Sequence, residues 1–243
     1  MQDNYFGDIG DFGKYGLLRK VCSVGLSLSV NWYKVTPPKN GKHGDGKYTS
    51  YLLKPQIYRE YDPCLFDVLH NIVCIQNDRR IERIEREDLF SASFFGDDID
   101  LQNRSAWHSN ALLQTAGTNT VFLDPDNGLE TLNMFRTDGA TEKHVKWSEL
   151  QDYYDRGQNV ILYQHRPQMT KKQSCIDGIL FFQNNYLKAD CVKLLEFPKY
   201  TNRFYFMFIH EESKESFDTI CKLMVQQWGK EDFCREINVK YGD

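Results

Sequence analysis

Short runs of β-branched and aromatic residues alternate in this chain with stretches whose apolar residues recur three and four apart, and few folds accept that rhythm. Residues 28–36 (LSVNWYKVT), 118–124 (TNTVFLD), 159–165 (NVILYQH), 191–197 (CVKLLEF) and 203–210 (RFYFMFIH) read as strands. The first of them is stopped by Pro37-Pro38 and reads as central. Between them lie helical patterns. One starts at Asp11 as N-cap, carries Leu17, Leu18, Val21 and Cys22, and ends at Gly25. Another opens with Asp62 as cap and Pro63 in the first turn. Further helices are expected at 107–113, 147–156, 176–187 and 216–228, and 79–87 (RRIERIERE) is expected as a short strand, although its charge pattern also suits an exposed helix. This alternation predicts an α/β fold: a Rossmann-like, mostly parallel sheet with helices on both faces. The two late strands joined without a helix predict an antiparallel edge hairpin.

Composition agrees with a packed globule, at 41% hydrophobic and 14% aromatic residues. At 243 residues without repeats or linker-like tracts, the expectation is a single domain spanning 1–243. The net charge of −4 offers no global positive field for nucleic acid, although a local basic face is compatible with it. Seven cysteines without a C-x-x-C pair read as small buried hydrophobes in a reducing compartment. No signal-peptide pattern or membrane-length apolar run is visible, so a soluble cytoplasmic protein is expected.

Four constellations carry chemistry. In Val121-Phe122-Leu123-Asp124-Pro125-Asp126-Asn127-Gly128 an apolar strand runs into Asp-Pro. That places Asp124, Asp126 and Asn127 beyond a strand's carboxyl end, where open α/β sheets put ligands. The same composition also suits an ordinary turn. In Gly7-Asp8-Ile9-Gly10-Asp11-Phe12-Gly13-Lys14 the glycines permit close backbone approach, and Asp8, Asp11 and Lys14 supply charge at a helix start. His165 ends the strand after the Asp124 strand and is a candidate general base. The stretch from Asn40 to Lys47, with Gly41, Gly44, Asp45 and Gly46, offers glycines and lysines for a cofactor or phosphate, although it matches neither dinucleotide fingerprint nor P-loop.

The runs GDIGDFGKYGLLR (7–19), VFLDPDNGLE (121–130) and LYQH (162–165), with Asn31-Trp32-Tyr33, resemble a widespread bacterial family known as uncharacterised. The order of elements is more distantly similar to class I S-adenosylmethionine-dependent methyltransferases, of the kind that N6-methylates adenine in large-subunit ribosomal RNA. Their Asp-Pro-Pro-Tyr motif is matched by Asp124 and Pro125, and departed from at Asp126 and Asn127. Their glycine-rich cofactor loop after the first strand is replaced by Val35-Thr36-Pro37-Pro38. The resemblance implies a methyltransferase-like enzyme acting on nucleic acid. Asp124 would receive the target amino group with Asp126, Asn127 and His165 around it. Asp8, Lys14, Asn31, Tyr33, Gly41, Gly44, Asp45 and Gly46 would line the S-adenosylmethionine side.

Two other classes stay open. Asp8, Asp11, Asp124 and Asp126 would suit Mg²⁺ in a phosphodiesterase, nuclease or nucleotide hydrolase, provided that Asp8 approaches Asp124. A catalytically silent Rossmann-like effector or binding module would need neither. Nucleic acid or a nucleotide is the expected partner, with a protein partner or second copy also compatible and no membrane involved.

Overall fold

The computed structural model describes residues 1–36, 48–167 and 169–239. Gly41, Gly44, Asp45 and Gly46 lie outside them, so the expectation for that stretch is neither met nor refused. Helix α1 (Ile9–Ser23) precedes strand β1 (Leu28–Asn31). The short helices α2 (Pro55–Tyr58), α3 (Pro63–His70) and α4 (Glu82–Glu85) lead to β2 (Ala92–Phe95), and α5 (Arg104–Gln114) leads to β3 (Thr120–Leu123). A two-strand ribbon, β4 (Gly128–Leu129) with β5 (His144–Val145), brackets α6 (Leu132–Thr137). Then come α7 (Trp147–Asp155), β6 (Asn159–His165), α8 (Lys172–Phe182), β7 (Cys191–Phe197), β8 (Arg203–Ile209), α9 (Lys214–Trp228) and β9 (Arg235–Glu236).

The large sheet has the order β2-β1-β3-β6-β8-β7-β9. The pairs β1–β2, β1–β3 and β3–β6 are parallel. Strand β8 runs antiparallel to both β6 and β7, so β7 points the same way as the first four. The result is a mixed α/β fold with a mostly parallel sheet. The late hairpin is present, but β9 pairs with β7 and becomes the outer strand.

Period-two alternation splits the core into two layers. Phe122, Ile161, Tyr205, Met207 and Ile209 face a layer formed with Phe12, Leu17 and Val21 of α1, Leu65 and Phe66 of α3, and Phe217, Met224 and Trp228 of α9. Val121, Leu123, Val160, Leu162, Phe206 and Phe208 face α5, α7 and α8 through Trp107, Leu150, Tyr153, Ile176 and Phe182. Each fully buried aliphatic or phenyl side chain contributes roughly 1.5–3 kcal/mol. Helices therefore cover both faces.

Several expectations are corrected. The first strand ends at Asn31 because the Asn31 side chain accepts the Tyr33 N–H and Tyr33 adopts φ +45°, which breaks the extended run. Residues 79–87 hold the helical turn α4, not a strand: Ile81 and Ile84, three apart, both anchor in the core. Asp8, not Asp11, caps α1. Among the cysteines, all free, Cys221 and Cys234 are buried, whereas Cys64 and Cys74 are exposed on α3 and the π-helical turn after it. No helix of the described residues is long and apolar enough to cross a membrane.

Candidate functional site

The chain reaches β2 from β1 on one side and β3 lies on the other, so the crevice between the carboxyl ends of β1 and β3 is the point where the winding reverses. Asp124 follows β3 directly and its N–H still donates to the Asn31 carbonyl at 3.0 Å. Its side chain is buried, at 2% exposure for the residue.

Helix α1 brings charge to the same place. Asp8 caps it, with Oδ1 accepting the N–H groups of Gly10 (2.7 Å) and Asp11 (3.0 Å). One turn in, Asp11 turns back: Oδ2 accepts from the Gly7 N–H (3.0 Å) and the Tyr15 hydroxyl (3.1 Å). Its Oδ1 accepts from Lys14 Nζ at 2.8 Å, and the same ammonium donates to Asp124 Oδ2 at 2.7 Å. Lys14 thus bridges two carboxylates and stands where a cation between them would stand.

The electrostatics follow from burial. Desolvation lowers the affinity of Lys14 for its proton, but Asp11 and Asp124 more than reverse this and hold the group charged. Asp124 is pushed up to about 6, burial outweighing the help of Lys14. Asp8 is raised by the same desolvation, opposed chiefly by Arg203. His165 is held below the usual imidazole range by burial and then by Arg203 and Arg166.

The structure brings Asp8, Asp11, Lys14, Asp124 and Asp126 to one edge, with His165 nearby on β6. The Met1 amine fills the crevice. It donates to the carbonyls of Tyr33 (2.7 Å) and Asp124 (3.1 Å) and pairs with Asp126 Oδ1 at 3.1 Å. Gln2 donates to the other Asp126 oxygen at 2.6 Å. Asn127 is engaged otherwise: its amide meets His144 Nε2 at 3.3 Å and its carbonyl accepts from Gln164 at 2.9 Å. Gly128, at φ +119°, leaves the room that the Gln164 side chain occupies. Asn31 and Tyr33 point into the core, Asn31 donating to the Tyr153 hydroxyl at 3.0 Å and Tyr33 to Glu149 at 3.2 Å. Asp8 is held by the helix start and by Arg203, not by Asp124. Among the described residues, no group of three or more His, Cys, Asp or Glu is disposed to hold a metal ion.

Three residues were missed from the sequence. Arg203 approaches Asp8 Oδ2 and the carbonyls of Lys199 and Thr201, each at 3.4 Å, so its guanidinium is weakly held although buried. It lies over Gly10, where a side chain would collide with it. The Tyr205 hydroxyl, two residues on and fully buried, has no hydrogen-bond partner. The Tyr163 ring centroid is 5.7 Å from the Lys14 ammonium. The signal was present: Arg203 and Tyr205 are the polar groups in an otherwise apolar RFYFMFI strand and share one face. No family model matches the chain, and no curated protein matches it.

Proposed function

We propose that the chain is a methyltransferase-like enzyme acting on nucleic acid, with Asp124 as the acceptor for a target amino group. The observation that carries this reading is the buried Asp124 carboxylate at the end of a central parallel strand, bordering the switch-point crevice where open α/β sheets take their ligands. The mostly parallel sheet with a late antiparallel hairpin is the layout that the resemblance implies. The cradle of the Met1 amine adds a chemical reason. Two carbonyls and the Asp126 carboxylate suit an alkylammonium group, and S-adenosylmethionine carries one at its amino-acid end. Bound there, the cofactor would be held by Asp126 and the Tyr33 and Asp124 carbonyls, and would supply an electrophilic methyl group. For those acceptors to be open to it, the Met1 amine would have to leave them. The chain's own part is alignment. Asp124 accepts a hydrogen bond from the amino group, Lys14 balances the charge of Asp124 and Asp11, and the neutral His165 is available to accept a proton.

The test is the melting temperature with and without S-adenosylhomocysteine. Ligand at about 100 times its dissociation constant adds roughly 2.7 kcal/mol, which raises the midpoint of a domain this size by about 5–10 °C. A saturable rise, abolished together with methyl transfer when Asp124 partners are removed, supports the reading. No rise at millimolar ligand sinks it.

One observation favours a second reading, a catalytically silent binding module: Asp11, Lys14 and Asp124 are 2%, 3% and 2% exposed. Under that reading Asp124→Ala retains the protein's cellular effect, whereas an enzyme loses it.

A further inference from the structure

Away from the strand ends, three large rings stand in solvent side by side. Phe135 on α6, Phe181 on α8 and Tyr186 in the turn after it are 41%, 40% and 44% exposed. Their centroids are close: 5.6 Å for Phe135–Tyr186 and 6.3 Å for Phe181–Tyr186. Beneath them Trp147 and Phe182 are buried with centroids 4.0 Å apart, and each contacts Tyr186, at 5.7 Å in both cases. The patch is thus a five-ring block resting on the core. The Trp147 indole N–H is buried in it without a hydrogen-bond partner.

The chain on either side of these rings carries cations. Arg136 adjoins Phe135, Lys188 lies two residues beyond Tyr186, and Lys143 sits on the segment between α6 and α7. None of the three forms an ion pair among the described residues. Asn133 and Asn184 add exposed amides. Rings with free area, with unpaired cations and amides close to them along the chain, offer the chemistry that takes unpaired bases by stacking and their phosphates by charge. A second copy docking about a two-fold axis would set these cations against their own images, which is repulsive. The backbone N–H of Trp147 donates to Glu130 at 2.6 Å, which ties the block to the segment that follows β4.

We propose that Phe135, Phe181 and Tyr186 form a stacking platform for single-stranded nucleic acid, with Arg136, Lys143 and Lys188 neutralising flanking phosphates. This rests on the nucleic-acid half of the function proposed above, and it is testable without a methyl donor.

The experiment is fluorescence anisotropy of the full chain with fluorescein-labelled single-stranded RNA and DNA of about twelve nucleotides, within the span that such surfaces occupy. The expected result is salt-sensitive binding that Phe135→Ala and Tyr186→Ala each weaken roughly 5- to 100-fold, with Phe135→Tyr restoring it. Arg136→Gln with Lys188→Gln, which touches no ring, flattens the salt dependence and covers the case in which an alanine variant fails to fold. The proposal is overturned if the wild-type chain binds no single strand, or if the ring variants bind unchanged. It is also overturned if the chain sediments as a dimer that Phe135→Ala dissociates. Oligonucleotide binding without an S-adenosylhomocysteine shift retains the platform and removes methyl transfer. The converse removes the platform alone.

Discussion

Among the described residues, the buried charge clusters around Arg104 and around Lys14 are built on opposite plans. Around Arg104 each guanidinium nitrogen has an acceptor. Its guanidinium donates to both Glu149 oxygens (2.6 and 2.9 Å), to the Thr141 carbonyl (2.9 Å) and to the His144 carbonyl. Glu149 also accepts from Tyr33 and from the Lys146 N–H. At the carboxyl edge of the sheet, by contrast, one lysine serves two carboxylates, Arg203 reaches its acceptors only at 3.4 Å, and the Tyr205 hydroxyl has no partner. Buried polar groups are costly unless satisfied. The first cluster repays that cost in structure, whereas the second leaves bonding capacity unused.

The sharpest way to break this contrast is Glu149→Ala. It strands a buried Arg104 and should cost about 3–5 kcal/mol, read from urea unfolding. A small loss there would dissolve the distinction. The Tyr33 side chain belongs to this cluster, so only its backbone carbonyl is turned to the crevice. The next effect is that of Lys14→Met, expected to cost roughly 2–4 kcal/mol at pH 7. The loss should shrink toward pH 5 as one of the two facing carboxyls takes up a proton.

The pH dependence isolates Asp124. Its carboxyl is raised to about 6 from 3.8, so the folded chain binds that proton more tightly than the unfolded one. Stability from this group is fully present below the ordinary value and is lost as pH rises through about 6. Asp124→Asn should therefore flatten the fall in urea midpoint between roughly pH 4 and 6, at most about 3 kcal/mol. At pH 7 it should leave stability nearly unchanged, since the lost pair with Lys14 is offset by a carboxylate no longer buried. The smallest effect is Tyr205→Phe. Removing an unpartnered hydroxyl should shift stability by no more than about 1 kcal/mol, toward greater stability, while weakening any ligand that uses it. A large loss would mean that the hydroxyl already has a structural partner.

The legible parts of this fold were those with local causes. β6 and β7 were readable residue for residue, because their runs are long and bounded by turn or polar residues. β2 was missed because Ala92-Ser93-Phe94-Phe95 is four residues long and only Phe95 is buried. The α4 turn was read as a strand although its charge pattern suited an exposed helix and Ile81 and Ile84, three apart, carried the helical signal. At the site, Asp124, Asp126, Asp8 and Lys14 were identifiable because each sits in a short motif. Their pairing was not, since nothing local says that Lys14 lies between Asp11 and Asp124 or that Arg203 comes to Asp8.

Those pairings also have a kinetic consequence. Lys14 meets Asp124 across 110 residues of chain, and Asp8 meets Arg203 across 195. Contacts of such separation form only after the intervening loops have closed, which slows folding and exposes intermediates. During synthesis, Asp8 is made long before Arg203, so that pair closes only once β8 exists. Completion of the charged cluster is therefore a late event, because its longest loop, from Asp8 to Arg203, must close first.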